Sequence, residues 1–131
     1  MELNVLVVDD SAAIRKIMQR VLRQTGLAIR TIYEAGDGQE ALAVLAGEKL
    51  HLVLTDINMP KMDGLQLLAA IKAAPEWRDL PVVMITTEGG ESKVSEAVRL
   101  GAAGYVRKPF TADHIKEKLT LILEPALHLC D

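Results

Sequence analysis

Apolar residues in this chain form short runs that alternate with segments of helical periodicity. Five runs have the length of strands and are rich in apolar or β-branched residues, at residues 3–8, 30–35, 52–54, 81–87 and 103–107. Runs that are apolar almost throughout, such as residues 52–54, are typical of strands covered on both faces, as in a parallel sheet. The pattern therefore predicts five parallel strands.

After each strand, apolar residues recur at spacings of three and four, which places them on one face of a helix. The clearest stripe follows the first strand, where Ser11 or Asp10 can cap the helix and Gly26 can stop it; its members are Ile14, Ile17, Met18, Val21 and Leu22. The later helices are predicted to start at caps or turns and to end at or before glycine or proline. The second runs from Asp37, which forms a capping box with Glu40, to Gly47, and the third runs from Asp63 to before Pro75. The fourth follows Gly89-Gly90, and the fifth runs from Thr111 to Pro125. We expect the fourth helix to be the least firmly held, because its apolar contacts are few: Val94, Ala97, Val98 and Leu100.

Strand and helix alternate five times along the chain, which predicts an α/β fold with right-handed crossovers and helices on both faces of the sheet. The expected architecture is one doubly wound, five-stranded parallel sheet of order 2-1-3-4-5 that fills residues 1–131 as a single domain. In this topology a crevice opens at the carboxyl edge of the sheet, between strands 1 and 3.

Composition removes several classes of function. The chain has 131 residues, 50% of them hydrophobic, and a net charge of −3, with no Lys/Arg cluster that would mark a nucleic-acid or membrane surface. It lacks a signal-peptide pattern and an apolar run approaching the ~18 residues of a membrane span, so we expect a soluble, cytoplasmic protein. The single cysteine, Cys130, excludes an internal disulfide.

The predicted strands end on residues that carry chemistry. Asp9 and Asp10 follow the first strand, Asp56 ends the third, Thr86 the fourth, and Lys108 follows the fifth. Three carboxylates at one edge repel each other unless a cation is present, and a hard divalent ion such as Mg²⁺ prefers oxygen ligands. The histidines, His51, His114 and His128, fall elsewhere in the pattern, which argues against a transition metal.

The balance of charge indicates what such a site would accept. A phosphoryl group on Asp56 would bring the three aspartates to about −4, against +3 from Mg²⁺ and Lys108. This near balance favours in-line transfer of a phosphoryl group to a carboxylate, with metal and ammonium stabilising the charge. A purely structural cluster of salt bridges is the alternative.

Four motifs resemble those of response-regulator receiver domains, and most closely the stand-alone, CheY-like chemotaxis regulators. They are VVDDS, LTDINMPKMDG, MITTEG and AAGYVRKPF, they occur in the family's order, and the resemblance covers residues 3–124. It implies that Asp56 is the phosphoacceptor and that Asp9, Asp10 and the backbone carbonyl of Asn58 join Asp56 in holding Mg²⁺. It also implies that Thr86 and Lys108 bind the phosphoryl oxygens and that the bond before Pro109 is cis.

The same resemblance implies a switch and its partners. Tyr105 would turn inward on phosphorylation and change the surface formed by helix 4, strand 5 and helix 5; the alternative is a core tyrosine. A histidine kinase would donate the phosphoryl group, and the target would be a protein such as the flagellar motor switch. Asn58 and Glu88 resemble the residues that tune hydrolysis, so we expect quick self-dephosphorylation. The expected protein is a monomer that catalyses only its own phosphorylation and dephosphorylation.

Ile57 departs from the pattern, because some chemotaxis members carry tryptophan there. The only tryptophan, Trp77, is expected on the loop before strand 4, where its fluorescence would report phosphorylation poorly.

Other functions stay open at this point. A phosphorelay intermediate, a phosphate sink or a receiver cut from a longer regulator would share every motif above. A haloacid-dehalogenase-like phosphatase would need a second Asp two residues after the nucleophile, where Asn58 follows Asp56. A flavodoxin-like FMN binder would need a Ser/Thr/Gly-rich loop after the first strand, which DDSAAIRK does not provide.

Overall fold

The fold is a central parallel sheet with helices on both faces, as the sequence predicts. The computed structural model describes residues 2–59, 61–86, 91–108 and 111–128, with the backbone alone at residues 86, 91, 92 and 124–128. The elements in chain order are β1 (Leu3–Val8), α1 (Ala12–Gln24), β2 (Ile29–Ala35), α2 (Gly38–Gly47), β3 (Leu52–Asp56), α3 (Gly64–Ala73), a 3₁₀ turn (Pro75–Trp77), β4 (Val82–Thr86), α4 (Glu91–Leu100), β5 (Gly104–Arg107) and α5 (Ala112–His128). All neighbouring strands pair in parallel, in the order β2-β1-β3-β4-β5.

Each face of the sheet has its own apolar core. Side chains alternate between the faces along a strand, so Val5 and Val7 of β1 lie in one core while Leu6 and Val8 lie in the other. Helices α1 and α5 cover the first core, with Met18, Leu22, Ile115, Leu119 and Leu123 buried. Helices α2, α3 and α4 cover the second, with Ala41, Leu45, Leu67, Leu68, Ile71 and Ala97 buried. This arrangement explains why the strand sequences have apolar residues on both faces.

Side-chain caps start the helices at the predicted residues. Ser11 accepts a hydrogen bond from the N–H of Ile14 and begins α1. Asp63 and Gln66 form a complete capping box at the start of α3. Asp37 caps α2 as expected, but the carboxylate of Glu40 accepts from the N–H of Gly36 and not from Asp37, so only half of the predicted box is present.

Two expectations about the second half of the chain have different outcomes. The expected stop at Pro125 is wrong, because α5 continues to His128. Proline removes the hydrogen bond to the carbonyl four residues earlier but does not by itself prevent the next turn from forming. In contrast, Trp77 lies on the connection between α3 and β4, as predicted.

Helix α4 has few buried side chains, in agreement with its weak apolar stripe. Among its residues with described side chains, 93–100, Ala97 is buried, whereas Val98 is 59% exposed. None of the helices among the described residues combines the length and apolarity needed to cross a bilayer.

Candidate functional site

Three carboxylates meet at the carboxyl edge of the sheet, at the switch point between β1 and β3. The two strands are paired in parallel with Val8 opposite Thr55, so the residues that follow each of these, Asp9 and Asp56, lie side by side. One carboxylate oxygen from each of Asp9, Asp10 and Asp56 lies within 4.8 Å of the others. The predicted acidic cluster is therefore present.

Asp9 is the buried member of the cluster, with only 2% of its surface exposed. Its Oδ2 accepts a hydrogen bond from Lys108 Nζ at 3.1 Å, and its Oδ1 accepts one from the N–H of Ser11 at 2.9 Å. Both contacts fix the carboxylate in one orientation. Asp10 is exposed, so it can turn toward a ligand at little cost.

Asp56 is half-buried and has one constrained and one freer oxygen. Its Oδ1 accepts a hydrogen bond from the N–H of Ile57 at 2.8 Å, while its Oδ2 lies 4.0 Å from Lys108 Nζ. Burial raises the pKa of Asp56, and the charge of Asp9 raises it further, although the ammonium of Lys108 acts in the opposite direction. A neighbouring cation would therefore stabilise the ionised form of this carboxylate.

The donor set suits a hard divalent cation. The cluster offers only carboxylate oxygens, which are the ligands that Mg²⁺ takes in proteins. His51 lies away from it, before β3 at the amino end of the sheet, where its Nδ1 accepts from the N–H of Asn4 at 3.0 Å. The residues present thus fit the Mg²⁺ expected from the sequence.

Gly64 closes the turn that follows Asp56. Its N–H donates to the carbonyl of Ile57 at 2.8 Å, and a Cβ placed on Gly64 would lie 2.2 Å from the backbone carbonyl oxygen of Asp56. Only glycine allows this approach of the two backbones. The sequence predicted a turn here but gave no sign of how close the approach is.

The remaining predicted site residues are described to different extents. Thr86 ends β4, one position past Ile85, which pairs with Asp56, so its backbone lies at the predicted edge. The side chain of Thr86, and the whole of Glu88 and Pro109, lie outside the described residues, so the predicted cis bond is not described either. Asn58 is exposed on the loop after β3.

Tyr105 lies on β5 with 41% of its surface exposed, so the alternative of a core tyrosine is wrong. The ammonium of Lys118, on α5, lies 5.4 Å from the centroid of its ring, within the range of a cation–π contact. The tyrosine therefore points outward in this structure.

Two basic residues that were not predicted as site residues contact the site. Arg15 donates from Nη1 to the backbone carbonyl of Asp9 and from Nε to Glu34 at 3.0 Å, which connects the residue after β1 to β2. Lys93 donates from Nζ to Oδ1 of Asn58 at 2.8 Å. Each was visible in the sequence only as a charged residue on a predicted helix, because the side chains that they contact, Glu34 and Asn58, are distant in the chain.

A cavity of about 420 Å³ opens at the other edge of the sheet. It is lined at the amino ends of the strands by Leu3, His51 and Pro81, together with Ile122 and Leu123 of α5. The acidic cluster does not line it. A carboxylate that reacts with an exposed group on another molecule needs an open edge and not an enclosing cavity. The acidic cluster lies at such an edge.

We predict that Asp56→Asn stabilises the metal-free chain at neutral pH. The raised pKa of Asp56 means that the folded chain holds this proton more tightly than the unfolded chain. Stability therefore falls as pH rises from the ordinary carboxyl pKa to the raised one, and the cost is complete above it. Asparagine removes this cost, so unfolding in urea with EDTA should require on the order of 1 kcal/mol more at pH 7, and the gain should shrink on acidification.

Added Mg²⁺ should favour wild type over Asp56→Asn, because an ion that binds the folded state stabilises it and the variant offers one carboxylate fewer at the cluster. Equal stabilities of the two proteins in EDTA at pH 7 would contradict the electrostatic description of the cluster.

Several known proteins resemble this chain in sequence. The family described as "Response regulator receiver domain" matches residues 5–120. A chemotaxis protein CheY homolog of Campylobacter jejuni is 40% identical over 122 residues, covering 92% of each chain. Chemotaxis protein CheY-3 of Vibrio cholerae is 43% identical over 122 residues, covering 93% of this chain and 92% of its own.

The solved structures include a near match of the whole fold. The chemotaxis response regulator CheY4 of Vibrio cholerae aligns with a TM-score of 0.83 at 32% identity and covers 94% of this chain and 100% of its own. With a family match over most of its length and relatives at 40% and 43% identity, the chain belongs to the response regulator receiver domain family.

Proposed function

We propose that this chain is a phosphorylation-activated response regulator that accepts a phosphoryl group on Asp56 in the presence of Mg²⁺. The observation that carries the proposal is the half-buried carboxylate of Asp56, whose Oδ2 lies 4.0 Å from Lys108 Nζ and beside Asp9 and Asp10. A purely structural cluster of salt bridges would account for the contact between Lys108 and Asp9. It would not account for Asp10, an exposed carboxylate that makes no ion pair among the described residues.

The chemistry is an in-line transfer from a phosphohistidine of a histidine kinase. The Oδ2 atom of Asp56 is the nucleophile, since Oδ1 already accepts from Ile57. A bond forms between this oxygen and phosphorus while the phosphorus–nitrogen bond breaks, and the electron pair passes to the imidazole. Lys108 stabilises the negative charge of the phosphoryl oxygens.

The bound ion would be held by Asp9, Asp10, Asp56 and the backbone carbonyl of Asn58. Mg²⁺ supplies charge neutralisation to the transferring group. Thr86 would bind a phosphoryl oxygen opposite Lys108. Asn58 and Glu88 would tune the access of water, with quick self-dephosphorylation as the result.

The proposed output is a shift between two conformations of the surface formed by α4, β5 and α5. Tyr105 is outside in this structure, beside Lys118, and its inward turn would forfeit a contact worth roughly 0.5–1 kcal/mol. Charge-assisted hydrogen bonds to the phosphoryl group, worth roughly 1.5–3 kcal/mol each, are sufficient to outweigh that loss. Phosphorylation would thus change the affinity of this surface for a target.

The relatives suggest the pathway. Those reported above are named chemotaxis proteins, so we propose that the target is a flagellar motor switch protein and that the chain works in the cytoplasm as a single-domain monomer. It would be a signalling protein, with its own phosphorylation and dephosphorylation as its only reactions. A phosphorelay intermediate or phosphate sink would use the same site with another partner.

We predict that Mg²⁺ and beryllofluoride, a mimic of the phosphoryl group, tighten binding to a fluorescent peptide from a flagellar motor switch protein by about tenfold or more. Asp56→Asn should show no such change, because the mimic requires the carboxylate. Fluorescence anisotropy measures the binding, and ¹⁹F NMR measures uptake of the mimic. Uptake without tighter binding would contradict the motor-switch target and direct the search to a relay or sink partner.

A further inference from the structure

The contact between Lys93 and Asn58 joins α4 to the loop that follows Asp56. Lys93 is the third residue of α4, and its Nζ lies 2.8 Å from Oδ1 of Asn58, 35 positions earlier in the chain. An ammonium group can only donate, so the contact fixes which end of the amide faces Lys93. The side-chain carbonyl of Asn58, two residues after Asp56, is therefore engaged.

This hydrogen bond matters more for α4 than a similar contact would for α3. Helix α3 is anchored by Leu67, Leu68 and Ile71, all fully buried, whereas Ala97 is the buried apolar side chain among the described side chains of α4. The position of the first turn of α4 relative to the site thus depends on few apolar contacts. A polar contact at this point has a correspondingly large influence.

The engaged atom, Oδ1 of Asn58, is a side-chain carbonyl oxygen, which can direct the hydrolysis of an acyl phosphate. In that reaction a water oxygen forms a bond to phosphorus while the bond from phosphorus to the Asp56 oxygen breaks. The electron pair returns to the carboxylate, and the proton released by the water passes to solvent as inorganic phosphate leaves. A side-chain carbonyl that accepts a hydrogen bond from the water orients it for attack.

A carbonyl oxygen has two lone pairs, and Lys93 occupies one position on Oδ1 of Asn58. The ammonium also fixes the plane in which the amide lies. Both effects reduce the fraction of time in which Oδ1 is free to orient a water. They do not abolish it, so the expected influence on the rate is moderate.

We infer that Lys93 is a positioning residue that prolongs the phosphorylated state by occupying the side-chain carbonyl of Asn58. This inference rests on the phosphoryl acceptance proposed for Asp56, and it adds a residue on α4 that sets the lifetime of the signal. The same contact couples the position of α4 to the rate at which the signal decays.

The test is the rate at which purified, ³²P-labelled protein loses its label after the phosphodonor, acetyl phosphate, is removed, with Mg²⁺ present throughout. Lys93→Met, which keeps the length of the stem, should lose label about two- to fivefold faster than wild type, the factor expected for loss of one exposed charged contact. Lys93→Arg should restore a lifetime close to wild type. Arg99→Met, which removes a cation from the far end of the same helix, should not change the rate.

A double variant separates positioning from a general effect of charge. In the Asn58→Ala background the acceptor is absent, so Lys93→Met should have no further effect on the rate. An unchanged rate in Lys93→Met alone, or an equal acceleration with and without the Asn58 side chain, would overturn the inference and leave the proposed function intact. Failure of wild type to take up any label would overturn both.

Discussion

The variant Asp56→Asn is expected to take up no phosphoryl group from acetyl phosphate or from a phosphorylated kinase. The amide has the shape of the carboxylate and can still accept the hydrogen bond from Ile57, but it lacks the nucleophilic oxygen that faces Lys108. The initial rate of ³²P incorporation should fall by at least about a thousandfold, the scale on which loss of a nucleophile acts.

Asp63→Asn provides the matched control for this loss. Asp63 lies beyond the same loop and caps α3 through the N–H of Gln66. Asparagine is as good a cap as aspartate, so this variant should fold and incorporate label at close to the wild-type rate. If Asp56→Asn retained label while folded, another residue would be the acceptor.

The variant Gly64→Ala is expected to lose about 2–3 kcal/mol of stability. The added Cβ would lie 2.2 Å from the carbonyl oxygen of Asp56 and 2.8 Å from Cα of Ile57. Both are backbone atoms, so no side-chain rotation relieves the overlap, and the loop that carries Asp56 must move. Urea unfolding measures the loss, and ³²P incorporation should fall as well because the acceptor is displaced.

Gly47→Ala is the control for the effect of replacing a glycine. Gly47 ends α2, and a Cβ there would meet nothing within 4 Å. Alanine favours the helix, so this variant should be unchanged or more stable by up to about 1 kcal/mol. Similar stabilities of the two variants would contradict the close approach at Gly64.

The order of the strands and the place of the acidic cluster could be predicted because both depend on local pattern. The alternation of strand and helix specifies a doubly wound sheet, and parallel strands place their carboxyl ends at one edge. Asp9, Asp10 and Asp56 therefore had to meet once the strands were recognised, and the structure brings them within 4.8 Å. The helix caps at Ser11 and Asp63 could likewise be predicted from neighbouring residues in the sequence.

The features that escaped prediction depend on contacts between distant parts of the chain. Lys93 and Asn58 meet only because α4 packs beside the loop after β3, and Arg15 reaches Glu34 only because β2 is next to β1. The space around Gly64 is set by the path of the backbone and not by any sequence period. Helix α5 extends past Pro125, so a local signal that usually ends a helix did not end this one.

The carboxylate of Asp56 is proposed to carry the phosphoryl group, and locating that group in the chain tests this most directly. Brief treatment of the phosphorylated chain with borohydride reduces an acyl phosphate to an alcohol, which converts the modified aspartate to homoserine. Mass spectrometry of the digested protein should then show homoserine at position 56 and nowhere else. Homoserine at Asp9 or Asp10, or a phosphoryl group retained on a histidine, would contradict the account.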